Sequence, residues 1–425
     1  MFIRHLSLTG FRNYSRLELD LLPGTTILHG ENAQGKTNLL EAVYYLATTR
    51  SPYADSDQQI INWDINVPEE PIVVARLVAT IQYESTSPST GQNSSTANEK
   101  TIELRLIREN RNGSSSFRRE AVIDRRKVRL MDLLGQLKVV LFLPSDLELI
   151  TGSPSARRRY MDITLCQTDA IYCRSLSGYN KLLEQRNAAL KNLAETGRGK
   201  DVVNILSERL ATVASGIFAR RAKFMHRLAE EVSRTHYEEL TNGIETAKLS
   251  YLPRLTVQGA GKGSKDNSAE LLKMAAWILE NAGDGNLIAK RYLELLQLTF
   301  DRDLASGVTT IGPHRDDWRI WVNGRHLGQF GSRGQQRTAM LALKIAEIRR
   351  MVDETNETPV LLLDEVASEL DEHRRNLLLT QVTRSGQALL TTTSLDFLPD
   401  KFHSQCTTVH VVNGHISPVP ASTVG

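Results

Sequence analysis

Cysteine is nearly missing from this 425-residue chain, which has only Cys166, Cys173 and Cys406. Three scattered thiols make no disulfide framework, and none stands beside another Cys or a His at zinc-site spacing. Free thiols in a reducing cytoplasm are the expectation. A charge imbalance is missing too: 52 Lys+Arg against 49 Asp+Glu leave a net +3. Attraction to an acidic partner must then come from where charges sit, not from their sum. Long apolar runs are also lacking. The best, VVLFL at 139–143, falls far short of the roughly 18–20 residues that span a bilayer, so no membrane is expected. The N-terminal MFIRHLSLTGFRNY alternates apolar and polar residues without a basic or an apolar block, and it reads as a strand and not a signal peptide. No repeat of fixed period occurs. What remains is an ordinary soluble composition, 40% hydrophobic and 24% charged, long enough for two or three domains at roughly 150 residues each.

The first 45 residues pattern as strand, turn, strand, turn, strand, loop, helix, with Leu17, Leu19 and Leu21 alternating toward a Pro23-Gly24 turn. Segments 72–83 (IVVARLVATIQY) and 101–108 (TIELRLIR) look like paired strands. Between them 84–98, ESTSPSTGQNSSTAN, holds too little apolar surface to offset its ordering entropy and reads as a disordered hairpin tip. From about 154 to 300 the period turns helical. Tyr179, Leu182, Leu183, Arg186, Leu190 and Leu193 form one stripe, and Leu206, Leu210, Val213, Ile217, Phe224 and Leu228 a second. A Gly/Ser/Lys-rich break at 259–268 precedes a last helical stretch, 269–298, and strand character returns at about 308. The layout predicts two domains: a discontinuous α/β head from 1–150 and 305–425, and a helical arm or lid over 151–304.

Three motifs carry chemistry. Gly30-Glu31-Asn32-Ala33-Gln34-Gly35-Lys36-Thr37 fits GxxxxGK[ST], with an apolar strand before it (Thr26–His29) and a helix expected after it (Asn38–Ala47). Its glycines let N–H groups wrap a phosphate, Lys36 reaches the β- and γ-phosphates, and the Thr37 hydroxyl suits magnesium. Val360–Leu363 form an apolar run that delivers Asp364 and Glu365 where open α/β sheets bind ligands. Asp364 suits the magnesium shell and Glu365 the base that polarises an attacking water. In FGSRGQQR, 330–337, Ser332, Gly334 and the amide of Gln335 precede a helix expected from about Thr338, a second anion site.

GENAQGKT, SRGQQR and LLLDEVASELD, in that order and flanking a helical insert, resemble the Walker A, signature and Walker B/D-loop set of the SMC-class ABC-type ATPases. More narrowly, SLTGFRNY (7–14), PSDLELITGSPSARRRYMD (144–162), GPHRDD (312–317) and FGSRGQQRT (330–338) are similar to the RecF family of bacterial DNA-repair proteins, over nearly the whole chain. The resemblance implies an α/β fold, an ABC-type P-loop ATPase head with a mixed or parallel sheet interrupted by a helical arm. It implies ATP and Mg2+ as ligands and an ATP-dependent homodimer, with Ser332 and Gly334 of one chain acting on nucleotide held by Gly30–Thr37 of the other. Ser368–Asp371 would couple the two sites. It further implies a weak, DNA-dependent ATPase acting as a switch, binding to single-stranded or gapped DNA, and partners of the RecO and RecR type. Two positions depart from the transporter-type pattern. Leu389-Leu390-Thr391-Thr392-Thr393-Ser394 holds no switch histidine, leaving a threonine as the γ-phosphate contact, and Gln136 falls too early for a Q-loop glutamine. His314 reads as a structural turn residue.

A basic segment provides a DNA candidate. From Arg105 to Arg129 nine Lys/Arg face Glu109, Glu120 and Asp124, a local +6, with Arg125, Arg126 and Lys127 consecutive. Such clusters neutralise phosphates regardless of sequence; a solvated strand face is the alternative. Arg157-Arg158-Arg159 form a second cluster, which could equally brace the helical insert. A transporter nucleotide-binding subunit is the rival function, opposed by the long insert and the absent histidine. A long-armed SMC protein would need more helix, and a P-loop kinase would have no use for SRGQQR.

Overall fold

The computed structural model describes residues 1–67, 69–84, 97–111, 114–256 and 268–418. The polar stretch 84–98 and the break at 259–268 lie, apart from their ends, outside the described residues. The chain forms two compact units, Met1–Asp146 with Glu347–Gly425, and Leu147–Ala346. In chain order the strands are β1 (Phe2–Phe11), β2 (Tyr14–Asp20), β3 (Gly24–His29), β4 (Ile72–Glu84), β5 (Ala97–Arg111), β6 (Ser114–Ile123), β7 (Arg126–Val128) and β8 (Val139–Phe142). There follow β9 (Ala247–Leu252), β10 (Asp317–Val322) and β11 (Arg325–His326), then β12 (Val360–Asp364), β13 (Gln387–Thr392), β14 (Thr407–Val412) and β15 (His415–Pro418).

The first unit holds two six-stranded sheets. One is antiparallel, in the order β2-β1-β4-β5-β6-β7, and β4 pairs with β5 in the register Leu77 to Leu104. The other runs β15-β14-β3-β13-β12-β8 and is parallel except for β15. Every residue of β12 and β13 is buried, as a parallel strand covered on both faces requires. Leu6, Leu8, Phe11 and Leu104 of the first sheet share one core with Leu28, Leu362 and Leu389 of the second and with Leu39, Val43 and Leu46 of the helix Lys36–Thr48. Burying each such side chain contributes about 1.5–3 kcal/mol. The fully buried Gln387 amide ties the sheets, accepting from Ile3 N and donating to Ile3 O, both at 2.8 Å. The parallel order brings the C-terminal ends of β3, β12 and β13 to one edge, where ligands of open α/β sheets bind.

The second unit is built on the helices Pro154–Thr168, Ala170–Thr196, Lys200–Arg234, Ser268–Glu280, Gly285–Leu298 and Phe300–Ser306. Tyr179, Leu182, Arg186, Leu190 and Leu193 are buried, as the stripe predicts. The Arg186 guanidinium is fully buried and reaches Asp303 at 2.9 Å, Ser207 at 2.8 Å and Thr309 at 2.7 Å. Three expectations change here. The segment 154–300 is not wholly helical, because Ala247–Leu252 alternates, forms β9 and pairs antiparallel with β10 in a sheet β11-β10-β9. That pairing draws 317–326 into this unit, and the division falls at 346/347, inside the helix Arg333–Thr355. The stretch 269–298 is two helices, since Asp284 between Gly283 and Gly285 caps the second by accepting from Leu287 N at 3.0 Å. Among the described residues one helix, Lys200–Leu240, is also long and apolar enough to cross a membrane, a property that no contiguous apolar run in it reveals; half of its most apolar window is buried in the fold. Leu210, Ile217, Phe224 and Leu228 there are core residues.

The family-like stretches 153–162 and 312–317 meet inside this unit. Arg157 grips Asp317 bidentately at 2.6 and 3.1 Å, and Arg158 donates to Asp316 O at 2.8 Å. The buried Arg221 joins Asp316 and Asp162 at 2.8 and 2.7 Å. Two of the three consecutive arginines therefore brace this unit. His314 has both ring nitrogens engaged, by Tyr179 OH at 2.7 Å and Thr309 O at 2.9 Å, and burial pushes its pKa down to about 4.

Candidate nucleotide-binding site

The Walker A loop leaves β3 with Gly30 at φ 154° and closes with Gly35 at φ 111°. Both angles favour glycine, and space demands it as well: a Cβ on Gly30 would stand 2.4 Å from Val411 O, and one on Gly35 2.6 Å from Asn13 Nδ2. The loop is pinned from two sides. Asn13 Nδ2 donates to Gln34 O (3.1 Å) and Tyr14 OH to Gly35 O (2.9 Å), while Asn413 N and Gly414 N donate to Gln34 Oε1 and O (2.8 and 3.0 Å). The FRNY motif is thus a brace for the loop, and Arg12 within it clamps the buried Glu41 at 2.7 and 2.8 Å. Lys36 opens the helix, two residues before its expected start. Its ammonium is folded over the cradle, donating to Gly30 O at 2.7 Å and Glu31 O at 2.8 Å, with Glu365 Oε1 at 3.5 Å.

Parallel pairing sets Asp364 beside the loop. Its Oδ1 accepts from Thr37 Oγ1 and Thr391 Oγ1, each at 2.8 Å, and its Oδ2 accepts from Tyr53 OH at 2.7 Å. Asp364 is buried, whereas the Glu365 side chain is 36% exposed. Glu365 has φ 53°, a strained value for a residue with a side chain, and its N–H is held by Thr391 Oγ1 at 3.0 Å. The inner carboxylate suits a cation shell and the outer one a water. The hard oxygens of Thr37 and Asp364 fit Mg2+, which takes one or two protein ligands and completes an octahedron with phosphate and water. Among the described residues no group of three or more His, Cys, Asp or Glu could hold a metal by itself. Thr391 and Thr392 are committed, the latter to Ser394 O at 2.6 Å, leaving Thr393 as the exposed threonine of the switch segment. Gln136 bonds Lys100 Nζ at 2.8 Å, before β8 begins. Tyr53 is not legible as a site residue in the sequence, because its loop carries no spacing signal.

The signature helix starts at Arg333 and not near Thr338, because Ser332 and Gln335 form a reciprocal capping box. Ser332 Oγ accepts from Gln335 N at 3.2 Å, and Gln335 Oε1 accepts from Ser332 N at 3.0 Å. Ser332, Arg333 and Gly334 are exposed at the start of this 23-residue helix, where Gln335 N is taken by Ser332 Oγ and Gln336 N by Ser332 O at 2.9 Å. After β12, Ser368 Oγ donates to Glu365 O at 2.7 Å, and Arg375 holds Ala367 O and Leu370 O at 3.0 and 2.8 Å, shaping the loop Ser368–Asp371.

Arg125, Arg126 and Lys127 are exposed at the β6–β7 turn, on the rim strand of the antiparallel sheet. Lys127 pairs with Glu120 at 2.8 Å. Much of the local +6 is offset by acids that lie outside the counted segment: Arg105 meets Glu103 at 2.6 Å, Arg119 meets Asp57 at 3.1 Å and Arg129 meets Asp132 at 3.0 Å. As a DNA contact, this turn would make reversal of Arg125, Arg126 and Lys127 to Glu weaken DNA binding and lower the slope of log affinity against log salt by roughly one for each phosphate no longer neutralised. Unchanged binding in a salt titration would move the DNA site elsewhere.

These features define a class, the ABC-type ATPase head shared by RecF, RecN and SMC proteins: residues 2–417 match the family described as RecF/RecN/SMC N terminal domain. Within that class the chain belongs to the RecF family. It is 35% identical to the DNA replication and repair protein RecF of Roseiflexus castenholzii over 98% of this chain and 100% of that one. It is 38% identical to that of Chloroflexus aurantiacus over 94% and 95%. Two solved structures of the recombination mediator protein RecF of the RecFOR pathway, RecF-ATPrS and RecF-ATP, superpose with TM-scores of 0.78 and 0.77 at 28% identity, covering 99% of this chain and 98% of theirs. The transporter-subunit alternative is not favoured.

Proposed function

We propose that this chain is an ATP-switched DNA-binding protein of recombinational repair and replication-gap processing. The observation that carries the reading is the contact of Thr37 Oγ1 with Asp364 Oδ1, 327 residues apart in sequence, which assembles a phosphate loop and a cation-holding carboxylate at one sheet edge. Gly30–Thr37 would hold the ATP phosphates, with Lys36 turning from the loop carbonyls to the β- and γ-oxygens, and Thr37 and Asp364 would hold Mg2+, which would supply charge neutralisation during phosphoryl transfer. Glu365 orients the attacking water. The exposure of Ser332, Arg333 and Gly334 supports a role for the signature in trans, closing on the γ-phosphate of a partner chain, so that ATP links a homodimer that slow hydrolysis releases. The family supports DNA as substrate and RecO- and RecR-type proteins as partners.

Ser332→Arg tests this arrangement. The variant should bind ATP like the parent yet sediment as a monomer with ATP, because a long cation at the cap blocks the closing face. A dimer in that run would refute the trans assignment. ATPase activity and DNA binding measured together, with and without gapped duplex, test the switch: turnover should rise with DNA in the parent.

A further inference from the structure

Charge is sorted along this chain although its sum is near zero. Residues 51–75, which follow the P-loop helix, hold five acids (Asp55, Asp57, Asp64, Glu69 and Glu70) and no Lys, Arg or His. Residues 318–346, which carry the signature, hold five cations (Arg319, Arg325, Arg333, Arg337 and Lys344) and no Asp or Glu. Asp64, Glu69 and Glu70 of the first segment are exposed, as are Arg325 and Arg333 of the second, and none of the five forms an ion pair among the described residues. The two most exposed aromatic side chains among the described residues fall one in each segment, Trp63 at 79% and Phe330 at 71%. Exposed aromatics ringed by charge of one sign are the anchors of protein interfaces.

Both aromatics stand on anchored backbone. Asn66 N donates to Asn62 O at 3.1 Å and Asp64 N to Asn62 Oδ1 at 2.8 Å, so Trp63 lies on a closed turn. Asn62 N donates to Gly10 O at 2.8 Å and Arg12 N to Ile60 O at 2.9 Å, which ties that turn to the end of β1, beside the Asn13 that holds the P-loop. Phe330 ends the short helix Leu327–Phe330, where Gly331 N donates to Leu327 O at 3.0 Å, two residues before Ser332.

We propose that these two faces recognise each other in a second copy of this chain: the Trp63 turn with Asp64, Glu69 and Glu70 of one protomer docks on Phe330, Arg325 and Arg333 of its partner. The proposal rests on the reading of the signature as acting in trans. With Ser332 closed on a γ-phosphate in the other chain's P-loop, Phe330 and Arg333 are carried to the rim of that loop, which is where the Trp63 turn is tied. DNA is a poor occupant of the Trp63 face, since the acids repel phosphate, whereas the signature face supplies the opposite charge and an apolar partner. A two-fold axis forms the contact twice. The complementary charges steer the two chains into register, and the aromatics hold them there.

Sedimentation equilibrium of the full chain with Mg2+ and a non-hydrolysable ATP analogue measures the dimer, and a fluorescent ATP analogue measures nucleotide affinity at concentrations where the chain is monomeric. Trp63→Ala should weaken the dimer roughly 30-fold or more, as truncating an interface anchor does, with monomer nucleotide affinity unchanged. Asp64→Lys, Glu69→Lys and Glu70→Lys together should weaken it, as should Arg325→Glu with Arg333→Glu, and a chain carrying both sets should dimerise more tightly than either. A Trp63→Ala dimer as tight as the parent's, a matching loss of nucleotide affinity in the Trp63→Ala monomer, or no recovery in the doubly reversed chain overturns the proposal. Ser332→Arg in the same run separates the two readings. If it is monomeric while Trp63→Ala dimerises like the parent, the trans role of the signature stands and the docking faces fall; if Ser332→Arg dimerises as well, both fall.

Discussion

Lys36→Met should abolish ATP binding. The Lys36 ammonium is 4% exposed and donates to two loop carbonyls, so it already lies in the cradle with its desolvation cost met by the fold. Phosphate oxygens replace those carbonyls with stronger, charge-assisted bonds, each contributing about 1.5–3 kcal/mol. Two such bonds correspond to a roughly 100-fold or greater loss of affinity in the variant. Methionine keeps the length and the apolar stem of lysine, and the helix is anchored independently by buried Leu39, Leu40 and Val43. Equilibrium binding is the measurement, and an unchanged melting temperature separates a lost site from a lost fold. Binding within a few-fold of the parent would deny Lys36 its place on the phosphates.

Glu365→Gln should leave binding intact and stall hydrolysis with the dimer formed. Gln has the size of Glu and can occupy the same strained backbone, which Thr391 holds through the Glu365 N–H. What it loses is a carboxylate able to take a proton. General-base contributions of this kind are about 100- to 10,000-fold, so single-turnover hydrolysis should fall by that order while sedimentation with ATP shows a long-lived dimer. Parental turnover would remove Glu365 as the base.

Legibility of the site follows sequence distance. The phosphate loop occupies eight consecutive residues and β12 ends directly in Asp364 and Glu365, so both can be read from the chain. Tyr53 cannot, because its loop carries no spacing signal, and the contacts of Thr391 and Asn413 cannot, because only the strand order β14-β3-β13-β12 brings segments hundreds of residues apart to one edge. The signature helix begins five residues before its expected start, and Ser332 and Gln335 do stand at capping-box spacing; the glycine between them argues for a loop. β9 is hidden because its partner β10 begins 65 residues after it ends. Linear charge counting overstates the basic segment, since Glu103 and Asp132 lie just beyond its two ends and Asp57 enters through loop packing.

The central claim is that each nucleotide is held between two chains, and mixing two inactive variants tests it most directly. A Lys36→Met chain keeps an intact Ser332, and a Ser332→Arg chain keeps an intact Lys36. In a mixed pair one composite site is complete and the other doubly broken. Equal mixing should therefore restore ATP-dependent dimers and ATPase activity that neither variant shows alone. A mixture no more active or dimeric than the two separate samples would contradict the account.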